Sequence, residues 1–149
     1  MPSTYTPLGV EKIATGEAAG TWGTKTNTNL DIIEQISGGY KVQTLNTAGA
    51  GANTTTLSKS DGATGATVAT RVIIMGAVSP EAITGNKILT MPVLTENFYI
   101  IKNSTSGAYT VQLKAASGSG ATVTWATDDK GWKIVYFDGV TTNTGVYDT

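Results

Sequence analysis

The sequence contains no cysteine and no histidine. Without cysteine it has no disulfide, no thiolate metal site and no cysteine nucleophile. Without histidine it lacks the commonest general base and the commonest metal ligand. Histidine-dependent hydrolase triads and histidine-based zinc sites are excluded. Charge is scarce as well. Asp, Glu, Lys and Arg make up 14% of the 149 residues, against roughly 25% in ordinary globular domains. The 10 basic and 11 acidic residues are spread along the chain and leave a net charge of -1. With no basic cluster, a nucleic-acid partner is not expected. No stretch approaches the ~18 apolar residues of a membrane span, so no membrane partner is expected. Met1-Pro2-Ser3-Thr4-Tyr5 carries neither basic charge nor an apolar run, and no signal peptide is expected there.

What fills the gap is Thr, Ser, Asn and Gly. Either the surface is neutral and rich in hydroxyls, or much of it is covered by other subunits. The second reading agrees with the depletion of charge at interface cores. The length suits one domain with an appended arm and suffices to bury a core without staples.

Residues 1–25 read as an extended arm. Pro2, Pro7, Gly9, Gly16, Gly20 and Gly23 punctuate it, and Leu8, Val10 and Ile13 alternate weakly with polar residues. Residues 28–37 read as the one helix. Thr28 is the expected N-cap, with Asp31 three residues on in a capping-box-like arrangement. Leu30, Ile33 and Ile36 fall on one face, which Ile32 broadens. Gly38-Gly39 is expected to end the helix in a left-handed conformation. A helix this short is not stable alone and must dock.

From Tyr40 onward the pattern is β. Strands are expected at 41–46, 54–58, 71–78, 87–91, 98–102, 109–114, 121–125, 132–137 and 140–147, separated by Gly, Ser, Asn and Asp clusters. In 109–114 apolar and polar residues alternate, giving one wet face. In 132–137 both faces are mostly apolar, which places the strand centrally or at an interface. Ser104-Thr105-Ser106-Gly107 is expected to close a hairpin, Asp128-Asp129-Lys130-Gly131 to turn into the next strand, and Asp138-Gly139 to form a type I′ turn. Residues 46–53 read as a mobile loop and 61–65 as a turn. The expected fold is all-β: an antiparallel, jelly-roll-like sandwich of about eight strands, with an extended N-terminal arm and one short helix. The expected division is an arm and helix over 1–39 and a sandwich over 40–149.

Few residues point to chemistry. Asp128-Asp129 is the only adjacent carboxylate pair, and a turn explains it more simply than a hydrolytic dyad or a calcium site. Gly16, Gly20 and Gly23 suggest a phosphate loop but lack its Lys-Ser/Thr ending. Asn53-Thr54-Thr55 and Asn103-Ser104-Thr105 match glycosylation sequons, which carry no meaning without a secretory signal. Trp125, Trp132, Tyr99, Tyr109, Tyr136 and Phe137 suit core positions better than a sugar-stacking platform. Trp22 lies in the arm between glycines, with no local core around it. It reads as an anchor inserted into a neighbouring subunit. No catalytic residue, metal ligand or cofactor is expected, and an enzyme is not.

One segment points to a place. Thr15-Gly16-Glu17-Ala18-Ala19-Gly20-Thr21-Trp22-Gly23-Thr24-Lys25-Thr26-Asn27-Thr28-Asn29-Leu30 is followed by Asp31-Ile32-Ile33-Glu34-Gln35-Ile36-Ser37-Gly38-Gly39-Tyr40. The combination resembles the N-terminal module of tail-fibre-like structural proteins of marine bacteriophages. The apolar strand and D-G turn of Gly131-Trp132-Lys133-Ile134-Val135-Tyr136-Phe137-Asp138-Gly139, and Ile101-Lys102-Asn103-Ser104-Thr105-Ser106-Gly107, extend the likeness. It is strong over residues 13–40 and diffuse beyond them. It implies a virion protein made in the cytoplasm of a bacterial host, forming a homotrimer and contacting other proteins of the tail or capsid. A fibre chain normally continues into a shaft and a receptor-binding tip. At this length a short adaptor or spike is expected, with Leu8, Val10, Ile13, Trp22, Leu30, Ile33 and Ile36 at its oligomer and attachment interface, the arm and helix lying across adjacent subunits. The alternatives are a trimeric capsid decoration protein and, from another class, a monomeric carbohydrate-binding module.

Overall fold

The computed structural model describes residues 2–45 and 53–149; most of the loop expected at 46–53 lies outside them. The chain opens with a small hairpin, β1 (Thr4–Tyr5) and β2 (Glu11–Lys12), and continues into one helix, α1 (Trp22–Gly38). Among the described residues nine further strands follow: β3 (Tyr40–Gln43), β4 (Thr54–Thr56), β5 (Val72–Ala82), β6 (Lys87–Met91), β7 (Glu96–Ser106), β8 (Val111–Ala115), β9 (Val123–Trp125), β10 (Trp132–Asp138) and β11 (Val146–Asp148). They form a five-stranded sheet in the order β11-β10-β7-β5-β3 and a four-stranded sheet in the order β4-β6-β8-β9. The fold is an all-β sandwich with one helix.

Strand direction within the sandwich differs from the expected antiparallel jelly roll. From β3 to β8 the chain passes to the other sheet at every step. A strand that returns after such a circuit lies beside its predecessor and runs the same way. Thus β3, β5 and β7 pair in parallel, as do β4, β6 and β8. Parallel neighbours need a long crossover, and here a strand of the opposite sheet supplies it. Only the last strands reverse: β9 pairs antiparallel with β8, and β10 runs antiparallel to both β7 and β11.

The same topology alters the expected turns. Ser104-Thr105-Ser106-Gly107 does not close a hairpin, because β7 runs to Ser106 and β8 belongs to the other sheet. The Asp128-to-Gly131 turn carries the chain between sheets. Asp138-Gly139 opens a longer loop rather than a two-residue turn, since Phe137 pairs with Val146. The Asp138 carboxylate organises that loop by accepting the Val140 and Gly145 amides at 3.1 and 2.9 Å.

The core lies between the sheets. Trp125, Tyr99, Phe137, Ile73, Met75, Ile101, Leu89, Met91 and Leu113 are fully buried. Tyr99 and Phe137 meet edge to face, with ring centroids 5.7 Å apart, and the Tyr99 hydroxyl donates to the Val68 carbonyl at 2.6 Å. In β5 the register against β7 shifts between Gly76 and Glu81. Gly76 sits at φ +107, and a Cβ there would overlap the Ser104 carbonyl oxygen. Glycine is therefore what lets the longest strands bulge without parting.

The helix begins earlier than the pattern indicates. Thr21, not Thr28, occupies the N-cap position, and its side chain makes no capping bond. Thr28 lies inside the helix and donates to the Thr24 carbonyl at 3.0 Å. Nor does a left-handed glycine end it: Gly39 is extended at φ -72 and ψ 159, leading directly into β3. Tertiary contacts sustain the added N-terminal turns. Asn29 accepts the Glu11 amide at 3.0 Å and donates to the Glu11 carbonyl at 2.9 Å, so its carboxamide pairs with β2 as another strand would. Lys25 bonds the Glu11 carboxylate at 2.5 Å. At the other end, the Gln35 carboxamide donates to the carbonyls of Ala66 and Ala69 and accepts the Gly65 amide. Ile32 is fully buried and belongs to the sandwich core.

The arm is likewise not simply extended. Its hairpin docks on the 58–66 segment, where the Gly62 amide donates to the Gly9 carbonyl at 2.7 Å. A Cβ on Gly9 would overlap the Ser60 carbonyl. Among the described residues, no helix is long and apolar enough to cross a membrane.

Candidate functional site

The seven residues expected at an attachment surface divide into two groups. Leu8, Val10 and Ile36 are partly buried against the chain's own core and, with Pro7, Leu94 and Glu96, line a cavity of about 350 Å³. Ile13 is half-buried. Trp22, Leu30 and Ile33 are 65%, 58% and 48% exposed. At 100° per residue these three fall within one quadrant of α1, beside the face that Ile32 and Ile36 turn to the core. Trp22 also borders a cavity of about 380 Å³ whose other apolar walls are Ile13, Ala14, Ala18 and Ala19. The helix face expected through Leu30, Ile33 and Ile36 is therefore split, with Leu30 and Ile33 outward and Ile36 inward, and Trp22 lies on the helix and not in an extended arm.

A second surface is larger. The outer face of the five-stranded sheet is built from residues that alternate with the core positions. Register places Tyr40, Val72, Ile100 and Ile134 in one row across β3, β5, β7 and β10. Val42, Ile74, Lys102 and Trp132 form the next. Phe98, Tyr136 and Tyr147 form a third across β7, β10 and β11. Tyr40, Phe98, Trp132, Ile134, Tyr136 and Tyr147 are each 44% to 64% exposed, and the rest are half-buried. Two cations lie over the rings: the Arg71 guanidinium 3.7 Å from the Phe98 centroid, and the Lys102 ammonium 5.8 Å from that of Trp132. Arg71 is held in place by donating to the Phe98 carbonyl at 2.6 Å and to the Asn97 carboxamide oxygen at 3.0 Å.

The sequence signal for this face was the doubly apolar run in 132–137. Its continuation across β3, β5, β7 and β11 was not readable, because alternation assigns faces but not neighbours. The aromatic residues assigned to the core separate accordingly. Trp125, Tyr99 and Phe137 are buried, whereas Trp132, Tyr136 and Tyr109 are exposed.

Asp129 serves its turn. Its carboxylate accepts the Gly131 amide at 3.1 Å and pairs with Lys133 at 3.1 Å. These two donors, the amide first, hold it below the usual carboxylate range. Lys133 also reaches Asp148 at 3.6 Å, joining β10 to β11. Among the described residues no three acidic side chains gather in a way that would hold a metal ion. What the arrangement offers is contact surface: a helix stripe and a sheet face. No family model matches the chain, and no curated protein or solved structure matches it either.

Proposed function

We propose that this protein is a structural component of a bacteriophage virion, a trimeric tail-fibre-like spike or adaptor fastened to another virion protein through its N-terminal region. The observation that carries the reading is the convergence of Trp22, Leu30 and Ile33 as an exposed stripe on α1. This stripe lies within the segment that resembles the fibre module. Large apolar side chains held on a docked helix lose little further entropy on binding, which suits them to act as anchors. Leu8, Val10 and Ile36 support the helix from within the chain, so attachment falls to the outward group.

The test is to replace Trp22 with Ala and Leu30 with Asp, then measure incorporation into particles alongside thermal unfolding of the purified chain. Because both side chains are more than half exposed, each change is expected to cost under about 1 kcal/mol of stability while incorporation falls severalfold. Parallel loss of stability and incorporation would make the stripe part of the fold instead.

A second reading, a carbohydrate-binding module, draws on the exposed rings of Trp132, Tyr136 and Phe98. It requires a monomer that binds glycans.

A further inference from the structure

We infer that the outer face of the five-stranded sheet is where copies of this chain pack against one another. The inference rests on the oligomeric reading above and gives it a surface, distinct from the α1 stripe assigned to attachment.

Size is the first argument. An aromatic side chain contributes roughly 150–250 Å² when fully exposed. Five rings and Ile134, each about half exposed, therefore present on the order of 600 Å² before the half-buried Val42, Val72, Ile74 and Ile100 are included. The largest apolar patch on an ordinary monomer is about 300–600 Å². A stable specific interface takes about 800 Å² from each partner. With those four added the face approaches that area in total, shared between two neighbours in a trimer, and it runs from one sheet edge, Tyr40 on β3, to the other, Tyr147 on β11.

Its composition favours a second copy as the occupant. The central rows carry no carboxylate. Their only cation is Lys102, with Arg71 folded onto Phe98 at one end. A nucleic acid or an anionic lipid surface would call for many more cations. With a net charge of -1, little long-range repulsion opposes self-association. The face is also apolar across its whole width. Rings stand at both edges, Tyr40 on β3 and Tyr147 on β11, with aliphatic Val72, Ile74 and Ile134 among the side chains between them. Such a face suits contact with the same face of a neighbouring copy, where the large rings of each can pack against the shorter aliphatic side chains of the other. Arranged about a three-fold axis, each copy shares its face between two neighbours.

The test measures the mass of the full chain in solution by light scattering across a concentration series, for wild type, Ile134→Asp and Leu30→Asp. The expected result is three times the 15.4 kDa chain mass for wild type and Leu30→Asp. Ile134→Asp should fall to a single chain mass with unchanged circular dichroism. If Ile134→Asp stays trimeric, the sheet face is not the interface and the oligomeric reading survives. If wild type is a monomer, both fail, and glycan binding by that monomer would assign the rings to sugar. Should Ile134→Asp not fold, Ile134→Cys supplies the chain's only thiol. Protection of that thiol from a maleimide in the intact assembly, lost on dissociation, supports the inference; rapid labelling of the intact trimer overturns it.

Discussion

Tyr99 shows how much one residue contributes once it leaves water. Burial pushes its phenol up to about 12, and its proton is held in the bond to Val68. The raised value fixes the sign of the pH effect. The unfolded phenol ionises near 10, the buried one two units higher, so the unfolded state sheds its proton first as pH rises. The contribution is complete below pH 10 and is lost between about 10 and 12, to the extent of roughly 2–3 kcal/mol. Tyr99→Phe is expected to remove most of this alkaline loss, at a cost of about 1 kcal/mol near neutral pH; denaturant titrations at pH 8 and pH 11 measure both. The carboxylates act in the opposite direction. Asp129 and Asp138 are held below their ordinary range chiefly by the amides of Gly131 and Gly145. Their contribution is present above pH about 4 and is lost as pH falls through their depressed values. Asp138→Asn is expected to flatten part of the acid limb of the Tm profile. Asn29 works through geometry alone. Asn29→Ala leaves both the Glu11 amide and carbonyl unpaired by the helix, which should lower Tm by roughly 3–8 °C.

At the scale of elements, the strands were the most legible part of the sequence. Each of the nine expected strands overlaps an observed one, because glycine and asparagine clusters mark their ends and apolar residues fill their interiors. The helix was legible only from Thr28 onward. Trp22-Gly23-Thr24 has little helical propensity, and the turns that follow are tied to β2 through Lys25 and Asn29. The β1–β2 hairpin was missed because strands of two residues leave no periodic trace. At the candidate site, the sequence put Leu30 and Ile33 on one face with Ile36 and left Trp22 in the arm, and spacing alone did not separate the exposed residues from Leu8, Val10 and Ile36. That distinction depends on where the hairpin lands. The bulge in β5 gives this scale its prediction. Gly76→Ala forces a Cβ against the Ser104 carbonyl at a φ unsuited to alanine. A loss of about 2 kcal/mol or more is expected in equilibrium unfolding.

At the scale of the whole molecule, composition indicated a sandwich but did not reveal its winding. Residues that alternate between core and surface specify two faces for a strand. They do not say whether the next strand pairs beside it or crosses to the opposite sheet. Continuous apolar runs such as Val72-Ile73-Ile74-Met75 were the available hint, since strands covered on both faces lose their alternation. In this chain the inner face of the five-stranded sheet is covered by the four-stranded sheet, and the outer face remains apolar. The same feature that obscured the topology thus points to assembly, and the scarcity of charge agrees with it. The work proposed for this protein is to be part of a particle. Quantitative mass spectrometry of purified phage particles tests that most directly, by counting copies of this chain against the major capsid protein. The expected result is a fixed copy number divisible by three, small for a tail component and near that of the capsid protein for a decoration protein. Absence of the chain from the particles would contradict it.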